Sequence, residues 1–161
     1  MRDVMDPDYT VGIVGAGVMG QGIAQVALAG GMRAIVFDAK DGAAEAGSGE
    51  VHKRIDRLVE KGQLTAEAAA SQKGRLSVAA SLADFADCDT VVEAVVEKLE
   101  VKRQIFGDLE AIVADDTILA TNTSSLPIAS IARTCRLPGR VAGMHFFNPV
   151  PLMRLVEIIE G

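Results

Sequence analysis

Three side chains in this sequence suit proton transfer: His145, Glu157 and a serine in the run Asn122-Thr123-Ser124-Ser125. An imidazole held at one ring nitrogen by a carboxylate is a competent general base near neutral pH, because the acid fixes the tautomer and stabilises the imidazolium. Glu157 lies twelve residues beyond His145. The intervening Asn148-Pro149-Val150-Pro151 is turn chemistry, with both prolines fixing φ, so the chain can fold Glu157 back toward His145. A nearby serine hydroxyl can then hydrogen-bond a reacting alcohol. Spacing alone leaves a plainer alternative open. His145 would be a satisfied core histidine, Glu157 a solvated strand-edge charge, and Ser124 and Ser125 caps of the apolar turn at 126–128.

The elements that would position these groups begin with a glycine-rich turn. Val11–Val14 is a short apolar strand that runs into Gly15-Ala16-Gly17-Val18-Met19-Gly20, a helix of small residues follows, and Ala34–Phe37 is a second strand ending at Asp38. This order builds a dinucleotide-binding unit: Gly15 for the tight turn, Gly17 for close approach to a pyrophosphate, Gly20 for helix-on-strand packing. The helix N-terminus offers unpaired N–H groups to phosphate. Asp38, eighteen residues past Gly20, suits the ribose hydroxyls, and a carboxylate there favours NAD over NADP.

Further along, Val51, Ile55, Leu58 and Val59 line one face of an amphipathic helix, Gly62 marks its stop, and Thr65 caps a second helix. Strands are expected at Leu76–Ala79, Thr90–Val96, Thr117–Ala120, Val141–Phe146 and Leu155–Ile159, with a helix over Lys98–Val113 and a short one from Pro127. The alternation predicts an α/β, Rossmann-type, doubly wound and mostly parallel sheet, with a projecting helical pair after strand two. Residues 1–9 read as a loose leader and 10–161 as one domain. Glu93 and Glu97 follow a strand end, as a solvated rim or as partners of a cofactor ribose. His52 reads as a solvated surface residue.

Composition bounds the rest. With 161 residues, 49% apolar and 24% charged, the chain has the make-up of a soluble globular domain. A net charge of −6 argues against a nucleic-acid partner. Cys88 and Cys135 have no ligand-like spacing, so neither a metal site nor a disulfide framework is expected, and reduced thiols suit a cytoplasmic protein. No targeting segment or membrane-spanning run is read from the sequence.

Gly15–Gly20, Val92-Glu93-Ala94-Val95-Val96-Glu97, Asn122–Ser125 and His145-Phe146-Phe147-Asn148-Pro149-Val150-Pro151 together resemble the 3-hydroxyacyl-CoA dehydrogenase family, in one order from about Tyr9 to Gly161. The resemblance implies NAD-dependent oxidation of (S)-3-hydroxyacyl-CoA to 3-oxoacyl-CoA, as in fatty acid β-oxidation. His145 matches the family's general base, Glu157 its paired acid, and Ser124 the serine that binds the substrate oxygen. Asn148 and Glu97 match positions on the nicotinamide side of the cleft, Lys102 a cofactor-contacting lysine, and Lys61 a basic residue near the CoA phosphates. A family serine in that region aligns with Arg54. With Val18 and Met19, the three glycines and Asp38 complete the implied cofactor set. Family members continue into a helical domain that completes the acyl pocket and forms a homodimer interface. The resemblance therefore implies the cofactor half of such an enzyme. The alternatives are a non-catalytic NAD-binding module that needs a partner domain, and a related Rossmann dehydrogenase of free hydroxy acids.

Overall fold

Seven strands form one sheet in the order β3-β2-β1-β4-β5-β6-β7, in a computed structural model that describes residues 2–161. The strands are β1 (Thr10–Val14), β2 (Arg33–Phe37), β3 (Leu76–Val78), β4 (Thr90–Glu93), β5 (Ile118–Thr121), β6 (Val141–Phe146) and β7 (Val156–Glu160). The first six run parallel and β7 returns antiparallel on β6. The central strands are near-continuous apolar runs because helices cover both faces. Every residue of β1 and of β4 is buried.

Helices α1 (Val18–Ala29), α2 (Ala43–Glu60) and α3 (Ala66–Gly74) lie over one face, where Ile23, Leu28, Val51 and Ile55 join the core. Helices α4 (Leu99–Glu110) and α5 (Ile128–Ala132) cover the other, around Phe85, Phe106, Leu109 and Ile131. Fully burying a side chain of this size contributes about 1.5–3 kcal/mol. The helical pair expected after the second strand is α2 and α3. Gly62, at φ +67°, ends α2 with its N–H donating to Val59 O and the Gln63 N–H to Leu58 O. Thr65 Oγ1 then caps α3 by accepting from Ala68 N at 3.2 Å.

Three local features differ from the sequence reading. Strand β4 stops at Glu93 rather than continuing to Val96, because Val95 N donates to the Glu93 side chain at 2.6 Å and the chain turns out of the sheet. A 3-10 turn at Leu82–Phe85, capped by Ser81 and Asp84, was not anticipated. Residues 2–9 are tied rather than loose: the Arg2 guanidinium donates to Asp89 Oδ2 at 3.0 Å, and buried Tyr9 shares a 2.7 Å hydrogen bond with Thr90.

The order of strands positions the site. From β1 the chain winds outward through β2 to one edge and from β4 outward to the other, so the carboxyl ends of β1 and β4 flank a crevice.

Candidate active site

The glycine turn sits at the mouth of that crevice. Gly15 has φ +107°, and a Cβ there would lie 2.6 Å from Ala94 O, so only glycine fits the turn. Gly17 begins α1 without a side-chain cap, and a Cβ on it would meet nothing within 4 Å. The helix N-terminus is thus open toward a cavity of about 540 Å³ lined by Gly15, Gly17, Asp38, Val95 and Ile105. Gly20 packs directly on Gly15. Val18 is exposed on the first turn of α1, while Met19 leans into the core. Asp38 Oδ2 accepts from Ala16 N at 2.8 Å and Oδ1 from Lys40 N at 2.9 Å. A carboxylate has about four acceptor positions, so those two bonds leave capacity for hydroxyl donors.

Beside this cavity, Glu97 Oε1 accepts from Thr123 Oγ1 and, at 3.2 Å, from Ser124 N. Partial burial alone would raise the Glu97 pKa. The Thr123 hydroxyl, the Lys102 charge and the Ser124 N–H outweigh it and hold the carboxyl below its ordinary value. Lys102, expected to touch a cofactor, is 0% exposed. Its ammonium lies behind Glu97, donating to both oxygens of Glu93 at 2.8 Å and standing 3.3 Å from Glu97 Oε2. Glu93 is not a solvated rim residue either, since it is fully buried at the end of β4.

The second cleft, of about 230 Å³, is lined by Thr123, Ser124, Ser125, His145, Glu157 and Ile159. His145 and Glu157 are register partners on β6 and β7, with Nδ1 2.9 Å from Oε2. The His145 ring packs against Phe147 at a centroid distance of 4.5 Å and is only 18% exposed, which leaves it little rotational freedom. The Ser124 hydroxyl stands exposed on the same cleft. Asn122, to which the sequence assigns no separate role, ties the serine loop to the end of β6: its Oδ1 accepts from Phe146 N at 2.8 Å. A polar amide directly after a buried strand was the available signal.

Asn148 and Lys61 meet elsewhere, on a groove of about 470 Å³ between α1, α2 and the turn before β7. Arg54 and Arg57 share that groove. Arg54 Nη2 donates to Gln21 Oε1 at 2.8 Å, and Gln21 Nε2 donates to Ala16 O at 2.9 Å, so the groove and the glycine turn are bonded together. His52 is half-buried rather than solvated, with Nε2 enclosed on α2. Cys88 is buried, and burial with the nearby Asp89 and Asp87 charges pushes its thiol up to about 12. Among the described residues no cluster of three or more histidine, cysteine or acidic side chains is arranged to hold a metal ion. No helix among them is long and apolar enough to cross a membrane.

A parallel sheet with an open helix N-terminus at its crevice, a carboxylate after β2 and a histidine–carboxylate pair alongside defines a dinucleotide-binding α/β domain of the dehydrogenase type. The profile of the 3-hydroxyacyl-CoA dehydrogenase NAD binding domain matches residues 10–161. The chain belongs to that family. It is 48% identical over 150 residues to a probable 3-hydroxybutyryl-CoA dehydrogenase of Deinococcus radiodurans, covering 93% of this chain and 54% of that protein. It is 43% identical over 156 residues to a 3-hydroxybutyryl-CoA dehydrogenase of Mycobacterium tuberculosis, covering 96% of this chain and 54% of that protein. Among solved structures, the (S)-3-hydroxybutyryl-CoA dehydrogenase of Ralstonia eutropha superposes with a TM-score of 0.91 at 42% identity, covering 96% of this chain and 54% of that one. The chain thus spans about half the length of these relatives.

Proposed function

We propose that this chain is the cofactor half of an NAD-dependent 3-hydroxyacyl-CoA dehydrogenase, which oxidises (S)-3-hydroxyacyl-CoA to 3-oxoacyl-CoA. The observation that carries the reading is the His145–Glu157 pair, held across β6 and β7 and opening on the cleft that Ser124 lines. With Nδ1–H donated to Glu157, Nε2 is left free to accept the proton of the substrate's 3-hydroxyl. Glu157 then stabilises the imidazolium. The Ser124 hydroxyl donates to the same substrate oxygen and holds it at the histidine.

NAD fits the residues present. The open space at Gly17 admits a pyrophosphate against the N–H groups of α1, and Asp38 keeps acceptor capacity for ribose hydroxyls. When bound, it supplies the hydride acceptor. Val18 and Met19 continue the phosphate turn, and Glu97 faces the nicotinamide side. Lys61, Arg54 and Asn148 offer their groove to the phosphate-bearing tail of the acyl-CoA. The longer enzyme adds a helical domain that closes the acyl pocket and pairs two copies as a homodimer in the cytoplasm.

The test is NADH production from (S)-3-hydroxybutyryl-CoA, run beside a calorimetric titration with NAD. Turnover with NAD binding carries the reading in full. Binding without turnover assigns the chain to a module that needs its partner domain to react. Loss of both by a folded sample overturns the reading.

A further inference from the structure

The ammonium of Lys102 has no exposed surface, and neither has the carboxylate of Glu93 that holds it. Glu93 is saturated. Its two oxygens take the Lys102 Nζ bonds at 2.8 Å, the Thr121 hydroxyl at 2.7 Å and the Val95 N–H at 2.6 Å. Those four bonds fill a carboxylate's acceptor positions. Lys102 then has charge to spare in one direction, toward Glu97 Oε2 at 3.3 Å. The other oxygen of Glu97 accepts from the Thr123 hydroxyl, from Ser124 N at 3.2 Å and from Ser125 Oγ at 3.4 Å. One continuous polar chain therefore runs from the buried end of β4, through α4, to the loop that carries Ser124.

Stability does not account for this arrangement. A buried ion pair pays a desolvation penalty that its attraction only about repays, and apolar residues of similar volume serve a core as well. What the pair supplies is direction. It fixes a half-exposed carboxylate at one point of the crevice, with one oxygen turned to the ammonium and the other to the serine loop. The geometry points to Glu93 and Lys102 as positioning residues: together they pin Glu97, and Glu97 pins the backbone of Ser124, so that the cofactor crevice and the substrate cleft are held in one register. Neither residue needs to touch a ligand to do this. The proposal rests on the dehydrogenase reading for what Ser124 does, but the linkage itself exists without turnover.

Two variants separate positioning from direct contact. The pair Glu93→Gln with Lys102→Met removes both buried charges together, so no uncompensated charge is left in the core. Thr123→Val leaves that pair intact and removes one of the three donors that hold Glu97 Oε1 to the serine loop. Amide NMR of the free chain reads Ser124, a carboxyl ¹³C titration reads Glu97, and NADH fluorescence reads affinity. Both variants are expected to move the Ser124 amide resonance and to raise the Glu97 titration midpoint, and both weaken NADH binding about tenfold, the worth of a charge-assisted hydrogen bond. The midpoint and amide shifts stand or fall independently of any catalytic assay, so loss of turnover activity in the parent chain does not decide them. An unmoved Ser124 amide in the double variant overturns the proposal. So does weakened NADH binding in the double variant with full affinity in Thr123→Val, which returns Lys102 to direct cofactor contact. Should the double variant not fold, Thr123→Val alone decides: an unmoved Glu97 midpoint overturns the linkage.

Discussion

His145 and Glu157 face each other across β6 and β7 as register partners, with Nδ1 2.9 Å from Oε2. Their pairing depends on the only antiparallel contact in a sheet otherwise parallel among the described residues. A parallel strand would have needed a crossover of a dozen or more residues between base and acid. The turn at Asn148–Pro151, anchored by buried Val150 and closed by Leu152 N and Met153 N donating to Pro149 O, brings it back directly. The edge strand that results is exposed along its whole length, with Ile158 64% and Ile159 47% accessible. The acid thus sits on the edge strand and the base on the strand just inside it.

If His145 is the base, His145→Gln removes the proton acceptor without touching the glycine turn. Turnover of 3-hydroxybutyryl-CoA by the proposed longer enzyme is expected to fall by about four orders of magnitude or to vanish, while the dissociation constant for NADH stays within about twofold. Glu157→Gln keeps the shape but exchanges a charge acceptor for an amide, and a loss in kcat of about a hundredfold with little change in KM is expected. Retained turnover in the histidine variant sinks the assignment.

Gly15 and Gly17 make opposite predictions, though both belong to one turn. Alanine at position 15 must adopt φ +107° and put its Cβ 2.6 Å from Ala94 O, so Gly15→Ala is expected to cost about 2 kcal/mol or more of stability. Gly17 has an ordinary φ of −69° and open space around it, so Gly17→Ala should melt within about 2 °C of the parent. Its methyl group instead occupies the approach of the pyrophosphate, and NAD affinity drops more than about tenfold. Paired melting curves and calorimetric titrations check both. A Gly17→Ala variant that binds NAD normally removes the phosphate site from this turn.

Much of this arrangement was legible before any coordinates. A parallel strand covered on both faces must be an apolar run, so β1 stood out, β2 and β6 showed as apolar stretches at the same rhythm, and the two prolines after Asn148 announced the return of β7. The buried charges were not legible, because Glu and Lys are read as solvated by default. A signal was present all the same. Lys102 stands at the head of the buried stripe Lys102, Phe106 and Leu109 on α4, spaced i, i+4 and i+7, where a cation requires an inward partner. Glu93 completes the fully buried strand β4, directly after Val91 and Val92. Two charges on two buried stripes are each other's explanation. The tie between Arg2 and Asp89 had no such signal, because it spans 87 positions between segments without periodicity.

Asp89 gives a pH dependence with a definite sign. Burial alone would raise its pKa, but the N–H groups of Thr10 and Arg2 and the Arg2 guanidinium outweigh that and hold the carboxyl below its ordinary 3.8. A folded-state pKa below the unfolded one contributes stability that is present above the unfolded value and lost as pH falls through the folded one. Asp89→Asn is therefore expected to lower Tm by about 5 °C near neutral pH. The gap between parent and variant should hold down to about pH 5 and narrow below about pH 4, as the parent's own carboxyl takes up its proton. Melting curves across this range check it, and a gap that widens in acid contradicts the assignment.

Arg54 and Lys61 line one groove but differ in what stands behind them. Lys61 is exposed and ends α2, so Lys61→Ala removes only a charge offered to the groove. It should raise KM for the acyl-CoA about three- to tenfold and leave NAD affinity untouched. Arg54 also holds Gln21, which in turn holds the carbonyl of Ala16, whose own N–H is bonded to Asp38. Arg54→Ala removes the groove charge and the first link of that chain together. It is expected to weaken both ligands, with NAD affinity falling about two- to fivefold, because Gln21 then has water to bond instead of a fixed guanidinium. Gln21→Ala separates the two effects: it should reproduce the loss in NAD affinity and spare the acyl-CoA. If Arg54→Ala raises only the KM for acyl-CoA, the bonded chain from the groove to the glycine turn transmits nothing, and the two ligands bind independently.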